Sequence, residues 1–197
     1  MEKFSLKVTS GVISGILLLG SVSIPVSSAF ASESIQEGVV EEFLFTNEEI
    51  KSMEEYFNNF DEIEFYKAFE IAINENKSEF IDPSVAQELL NNLQSQSSMI
   101  QTRGKVTLTA KAGAQAIKAV MNKVGQKAWD KMIDKVETAS GTTLVVLHWK
   151  SITNLLNYLV NFNGELEEAI QSFLVNKAGF NSTVAYWVAR SFVFVVL

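Results

Sequence analysis

Residues 182–197, STVAYWVARSFVFVVL, carry one charge, Arg190, and are apolar almost all round. Read as a helix, about fifteen residues rise ~22 Å, short of the ~30 Å hydrocarbon core of a bilayer. Such a segment must be sheathed: it is the central helix of a bundle, or it enters a bilayer only part way. Val and Phe also favour strands, so 192–197 is open to either helix or strand. The chain has no cysteine, so packing alone must hold the sheath in place.

The rest of the sequence supplies amphipathic partners, which makes the predicted fold all-α. Thr46 with Glu49 forms a capping-box pattern ahead of Ile50, Met53, Phe57 and Phe60. Asp61 with Glu64 repeats it ahead of Phe65, Phe69, Ala72 and Ile73. Asp82-Pro83 reads as N-cap and first helical residue before Val85, Leu89, Leu90 and Leu93. Further on, Leu144, Val145, His148, Ile152, Leu155, Leu156, Leu159 and Phe162 share a helical stripe. The β-branched VVL at 145–147 could instead begin a strand, but length and period favour helix. A turn over 161–164 leads to Glu165, Glu167 and Glu168, carboxylates suited to a helix N-terminus. Leu166, Ile170, Phe173 and Leu174 follow as its buried face, and Gly179 reads as its C-cap. Ser182 reads as the cap of the last segment.

Residues 111–136 behave differently. Ile117, Val120, Met121 and Val124 share one face, and Trp129, Met132, Ile133 and Val136 share another. At 100° per residue the second set is rotated by roughly a quarter turn from the first. Gly125 between them marks a kink or a boundary between two helices. Lys123, Lys127, Lys131 and Lys135 step by four into a basic ridge, joined by Lys118 upstream. Asp130 and Asp134 interleave with the ridge and offer i, i+3 pairs to it.

The first 31 residues are not read as fold. Lys3 and Lys7 precede the apolar GVISGILLLGSVSI (11–24), then Pro25, then SSAFA, with Ala29 and Ala31 at the small positions of an A-x-A site. That is the pattern of a secretory signal peptide, with cleavage after Ala31 and a secreted product. The net charge of −7 hides an asymmetry in what remains. Over 32–101 there are 16 acidic and three basic residues; over 102–197 there are 11 basic and six acidic. The sign changes at SQSSMIQTRG (95–104), a polar stretch that reads as a linker, with Arg103 as a basic processing site. The expected organisation is a signal peptide (1–31), an acidic helical pro-region or domain (32–94), the linker (95–104) and a basic, apolar helical bundle (105–197). Halves of opposite charge also point to intramolecular acidic–basic pairing.

Enzymatic activity is not expected. Without cysteine there is no thiol catalysis or thiolate metal site, and a single histidine, His148, rules out two-histidine metal motifs. His148 falls on the apolar stripe and reads as a packed or interfacial residue rather than a catalytic base. The chain contains no G-x-S-x-G, P-loop or G-x-G-x-x-G motif, so neither a catalytic centre nor a cofactor is indicated. The carboxylates sit at helix caps and on polar faces. Asn181-Ser182-Thr183 matches a glycosylation sequon but serves better as a helix cap. A modest positive excess on an exported chain gives no footprint for nucleic acid.

Signal peptide, acidic segment, linker, the Lys- and Ala-rich KAGAQAIKAVMNKVGQKAWDKMIDKV (111–136) and apolar C-terminal helices follow one another in that order. The layout resembles secreted bacteriocin-type precursors of Gram-positive bacteria. That resemblance implies a compact helical, sometimes saposin-like, active part that permeabilises competitors. On this reading the partner is an anionic membrane surface, met by Lys118, Lys123, Lys127, Trp129, Lys131 and Lys135. Lysines near such a surface contribute about 1 kcal/mol each, and burial of Trp129 and Met132 adds an apolar term. The alternative is a non-enzymatic secreted helical protein that binds another protein through its acidic face.

Overall fold

The structure, a computed structural model, describes residues 45–97 and 108–197. Ala29, Ala31 and Arg103 lie outside the described residues. Eight α-helices succeed one another: α1 (Asn47–Asn58), α2 (Glu62–Asn76), α3 (Ser84–Ser97), α4 (Ala110–Val124), α5 (Gln126–Ser140), α6 (Trp149–Leu159), α7 (Leu166–Asn176) and α8 (Ser182–Val196). Short 3-10 turns at Lys77–Glu79 and Val145–Leu147 precede α3 and α6. The described residues contain no strand, and the all-α expectation holds.

Local chemistry explains most helix ends. The Thr46 hydroxyl accepts the Glu49 N–H while the Glu49 carboxylate accepts the Thr46 N–H at 2.7 Å, a complete capping box. Asp61 accepts the N–H groups of Ile63 and Glu64. Asp82 instead receives the Ser84 N–H and hydroxyl, so α3 starts at Ser84, one residue later than the Pro83 reading. α3 then continues through Ser97, which makes the first residues of the presumed linker helical. Asn181, not Ser182, caps α8: its Oδ1 accepts the Val184 N–H and its Nδ2 donates to Glu54 at 2.8 Å. α7 closes with the Phe180 N–H reaching back to Leu174 O, and Gly179 in between takes a positive φ of 80°.

The apolar segment 182–197 is helical to Val196, which settles the helix-or-strand question. Helices surround it: α7, α1 and α3 pack along it, and α2 touches it. Ten of its 15 residues are buried. With α7, α1, α3 and α2 against it and no strand among the described residues, FVFVVL has no sheet edge there to join. α1, α2 and α3, from the acidic part, and α4 to α8, from the basic part, contribute to one hydrophobic cluster. Met53, Phe57, Phe65, Phe69, Ile73 and Leu89 are as deeply buried as Ile117, Trp129, Ile133 and Ile152. Each such side chain withdrawn from water stabilises the fold by about 1.5–3 kcal/mol.

Gly125 is a boundary between two helices rather than a kink. Its φ of 84° and ψ of 148° break the helix between α4 and α5. The break turns the Trp129 stripe toward the core after the Ile117 stripe has ended. The open carbonyls of α4 are met from the acidic part: Val124 O accepts the Ile81 N–H at 3.3 Å, and Lys123 O accepts the Asp82 N–H at 2.8 Å.

Candidate functional site

α5 carries two charged faces, and each meets a different neighbour. The basic ridge lies against the acidic helices. Lys135 Nζ is 2.9 Å from Glu75, Lys131 Nζ is 2.6 Å from Glu79, and Lys127 Nζ is 3.9 Å from Glu79. Lys123, in the last turn of α4, reaches Glu88 of α3 at 3.1 Å. Glu75, in the last turn of α2, and Glu79, in the 3-10 turn that follows, are four apart and meet Lys135 and Lys131 in reverse order, so the two chain segments run antiparallel. Lys118 is exposed on α4.

These pairs are solvent-accessible, so they contribute little to net stability and more to charge matching. The hydrogen bond from Lys131 outweighs the opposing desolvation and, with lesser help from the charges of Lys131 and Lys127, holds the Glu79 carboxyl below the usual carboxylate range. Asp82 is lowered too, chiefly by the Ser84 hydroxyl and N–H, with Lys123 adding a smaller charge effect.

Trp129 must be taken off the contact surface. It is 1% exposed, its indole Nε1–H donates to Leu147 O at 2.7 Å, and its ring meets Phe192 edge-on at 6.5 Å. The apolar stripe of α5 faces the protein core, not the outside. Met132, named with it for membrane burial, is likewise fully buried.

The other face of α5 carries Asp130, Asp134 and Glu137, spaced i, i+4 and i+7. Asp130 does not pair with the ridge lysines. Its Oδ1 accepts the Trp149 N–H at 2.8 Å, capping α6, and lies 3.4 Å from His148 Nδ1. Glu137 Oε1 accepts the Leu144 N–H and lies 3.1 Å from His148 Nε2. His148 is therefore not on an apolar helix face. The 3-10 turn ends at Leu147, His148 takes an extended φ of −68° and ψ of 154°, and α6 begins after it. The half-buried imidazole is held between two carboxylates.

Sequence reasoning did not find Glu75, Glu79 and Glu88 as the lysines' partners, nor the carboxylates around His148. The shared four-residue spacing of Glu75 and Glu79 with Lys131 and Lys135 was the available signal for the first set. The i, i+4, i+7 spacing on α5 was the signal for the second. No helix among the described residues is long and apolar enough to cross a membrane. Comparison with protein-family models, curated proteins and solved structures finds no significant match.

Proposed function

We propose that the chain is a secreted, bacteriocin-like precursor in latent form, whose basic C-terminal helices act on anionic membranes once the acidic helices are removed. The observation that carries this reading is the double role of α1 to α3. Glu75 of α2, Glu79 of the turn after it and Glu88 of α3 match the ridge Lys123, Lys127, Lys131 and Lys135, and the three helices also cover the apolar helix α8. Both features a membrane would attract are thereby occupied within the molecule. Separation of the two parts after a cut near Arg103 would free the lysines for anionic headgroups and α8 for the interface. The function needs no catalytic centre and no cofactor.

A second reading, an uncleaved helical protein that binds another protein, draws on the single hydrophobic cluster shared by both parts. One experiment separates the two. A specific protease site is placed in 98–107, and the protein is added, cut or intact, to dye-loaded vesicles of phosphatidylglycerol or of phosphatidylcholine. The membrane reading expects leakage from the anionic vesicles with cut protein alone, weakened by Lys→Gln changes at 123, 127, 131 and 135. Equal absence of leakage from cut and intact protein would refute it and leave the binding reading.

A further inference from the structure

We infer that the junction of α5 with α6 is a binding site for a divalent transition-metal ion of the Zn²⁺ type. Its ligands are His148 Nε2 and the carboxylates of Glu137 and Asp134, and Asp130 positions the imidazole. The sequence argument excluded two-histidine sites only; this one uses a single histidine with carboxylates.

The site follows from how the chain turns back on itself. Asp130, Asp134 and Glu137 line one face of α5 by helical spacing. Gly141, with a left-handed φ of 68°, ends the helix, and the turn Val145–Leu147 returns the chain so that His148 faces that stripe. One ligand atom from each of Asp134, Glu137 and His148 lies within 4.8 Å of the other two.

The imidazole lies among carboxylates that can share an ion with it. Both imidazole nitrogens face carboxylate oxygens, at 3.4 Å and 3.1 Å. The contact of Nε2 with Glu137 Oε1 is a hydrogen bond in this structure, which an ion entering between the two atoms replaces. Ligands bound at ~2.0–2.1 Å around a tetrahedral metal stand roughly 3.3 Å from one another, so the 3.1 Å separation of Nε2 and Oε1 fits two positions of one coordination shell. Asp134 is exposed and completes the set by a side-chain rotation.

The outer contacts fit the same assignment. Metal-bound histidines usually give their other N–H to a carboxylate, and ligating carboxylates are themselves hydrogen-bonded. Here Asp130 stands behind Nδ1 and is fixed by the Trp149 N–H, while Glu137 is fixed by the Leu144 N–H. The lysines that alternate with these acids are turned to Glu75 and Glu79 on the opposite side. Three carboxylates therefore gather around one imidazole without a lysine to balance them. A ligand set with imidazole nitrogen suits Zn²⁺, Cu²⁺ or Ni²⁺ better than Mg²⁺ or Ca²⁺.

The test titrates the purified, chelator-treated protein with ZnCl₂ by calorimetry, and with CoCl₂ by visible absorption to read coordination geometry. One equivalent of Zn²⁺ is expected, with a Co²⁺ spectrum of four-coordinate type and no heat with MgCl₂. His148→Gln should abolish the Co²⁺ spectrum. Asp130→Asn should weaken Zn²⁺ binding by about 10–100-fold, as other outer-contact changes do. Asp134→Asn, an exposed change, should weaken it while leaving the helical circular dichroism unaltered. It decides the matter if His148→Gln fails to fold. Absence of stoichiometric binding, or binding unchanged in Asp134→Asn, would overturn the assignment and leave His148 as a side chain packed between two carboxylates.

Discussion

The break at Gly125 offers the most direct test of how α5 is aimed. Its φ of 84° with ψ of 148° lies at the edge of the region essentially confined to glycine, where another residue costs about 1–3 kcal/mol. In Gly125→Ala the new Cβ would also meet Ile81 Cδ1 at 2.8 Å and Cγ1 at 2.9 Å. That collision is the cheaper term, because Ile81 is 74% exposed and its side chain can rotate into solvent. The backbone cannot relax as easily. The Ile81 and Asp82 N–H groups hold the last carbonyls of α4 from one side, and the buried Trp129 stripe fixes α5 from the other. Straightening α4 into α5 would carry that stripe roughly a quarter turn away from the core. The expected loss is about 2–3 kcal/mol, which for a chain of this size lowers Tm by roughly 4–12 °C. Urea titration of the wild type, Gly125→Ala and the double variant with Ile81→Ala separates the terms. The double variant should recover little. A Gly125→Ala protein within ~0.5 kcal/mol of wild type, or full recovery on trimming Ile81, would show that the conformation at 125 does not set the break.

Two further perturbations address the seam and the core. Trp129→Phe keeps the ring but removes the donor to Leu147 O, and should cost about 1–3 kcal/mol in urea unfolding; an unchanged midpoint would mean that the carbonyl finds another donor. Glu79 and Asp82 are lowered in the folded state, so their contribution is fully present above the ordinary carboxylate range and lost as pH falls through it, below about 4. Glu79→Gln should flatten the fall of Tm over that window, and an identical pH profile would show that the contact with Lys131 is immaterial.

What could be read without coordinates divides by the range of the interaction involved. Thr46 with Glu49 and Asp61 with its two acceptor contacts are chemistry within one turn, so spacing alone revealed them. The rotation of the stripe across Gly125 was visible because helical geometry is a fixed 100° per residue. His148 was misplaced because its neighbours extend the apolar period backwards across a 3-10 turn, and periodicity does not register a change of backbone state. Trp129 was misread for a related reason. A periodic stripe says which residues share a face but not whether a bilayer or other helices lie opposite. The lysines' partners depend on antiparallel register between elements some fifty residues apart, as in Lys131 with Glu79, and no local rule chooses among the glutamates.

The nature of the seam limits how a latent form could be opened. Its charged rim is exposed and is screened at high salt, where the Debye length shrinks to about 3 Å. Its interior is not electrostatic. Phe65, Phe69, Ala72 and Ile73 of α2 and Met132, Ile133 and Val136 of α5 belong to the same buried cluster, and α2 packs along α5. Re-exposing only Met53, Phe57, Phe65 and Phe69 costs about 6–12 kcal/mol at ~1.5–3 kcal/mol each, comparable with the whole stability of an ordinary domain, ~5–15 kcal/mol. A severed connection between α3 and α4 therefore leaves the two parts joined in water, and the remainder cannot be the same bundle with a piece missing. α4 would lose the N–H groups that meet its last carbonyls, and α8 would lose helices on one side. Opening becomes favourable only where another apolar medium receives those surfaces as the acidic helices leave. On the proposed membrane reading an anionic bilayer would meet both requirements: its headgroups would compete with Glu75, Glu79 and Glu88 for the lysines while its interior took up α8. On that proposed reading cleavage and membrane contact are two conditions of one transition, and neither should suffice alone.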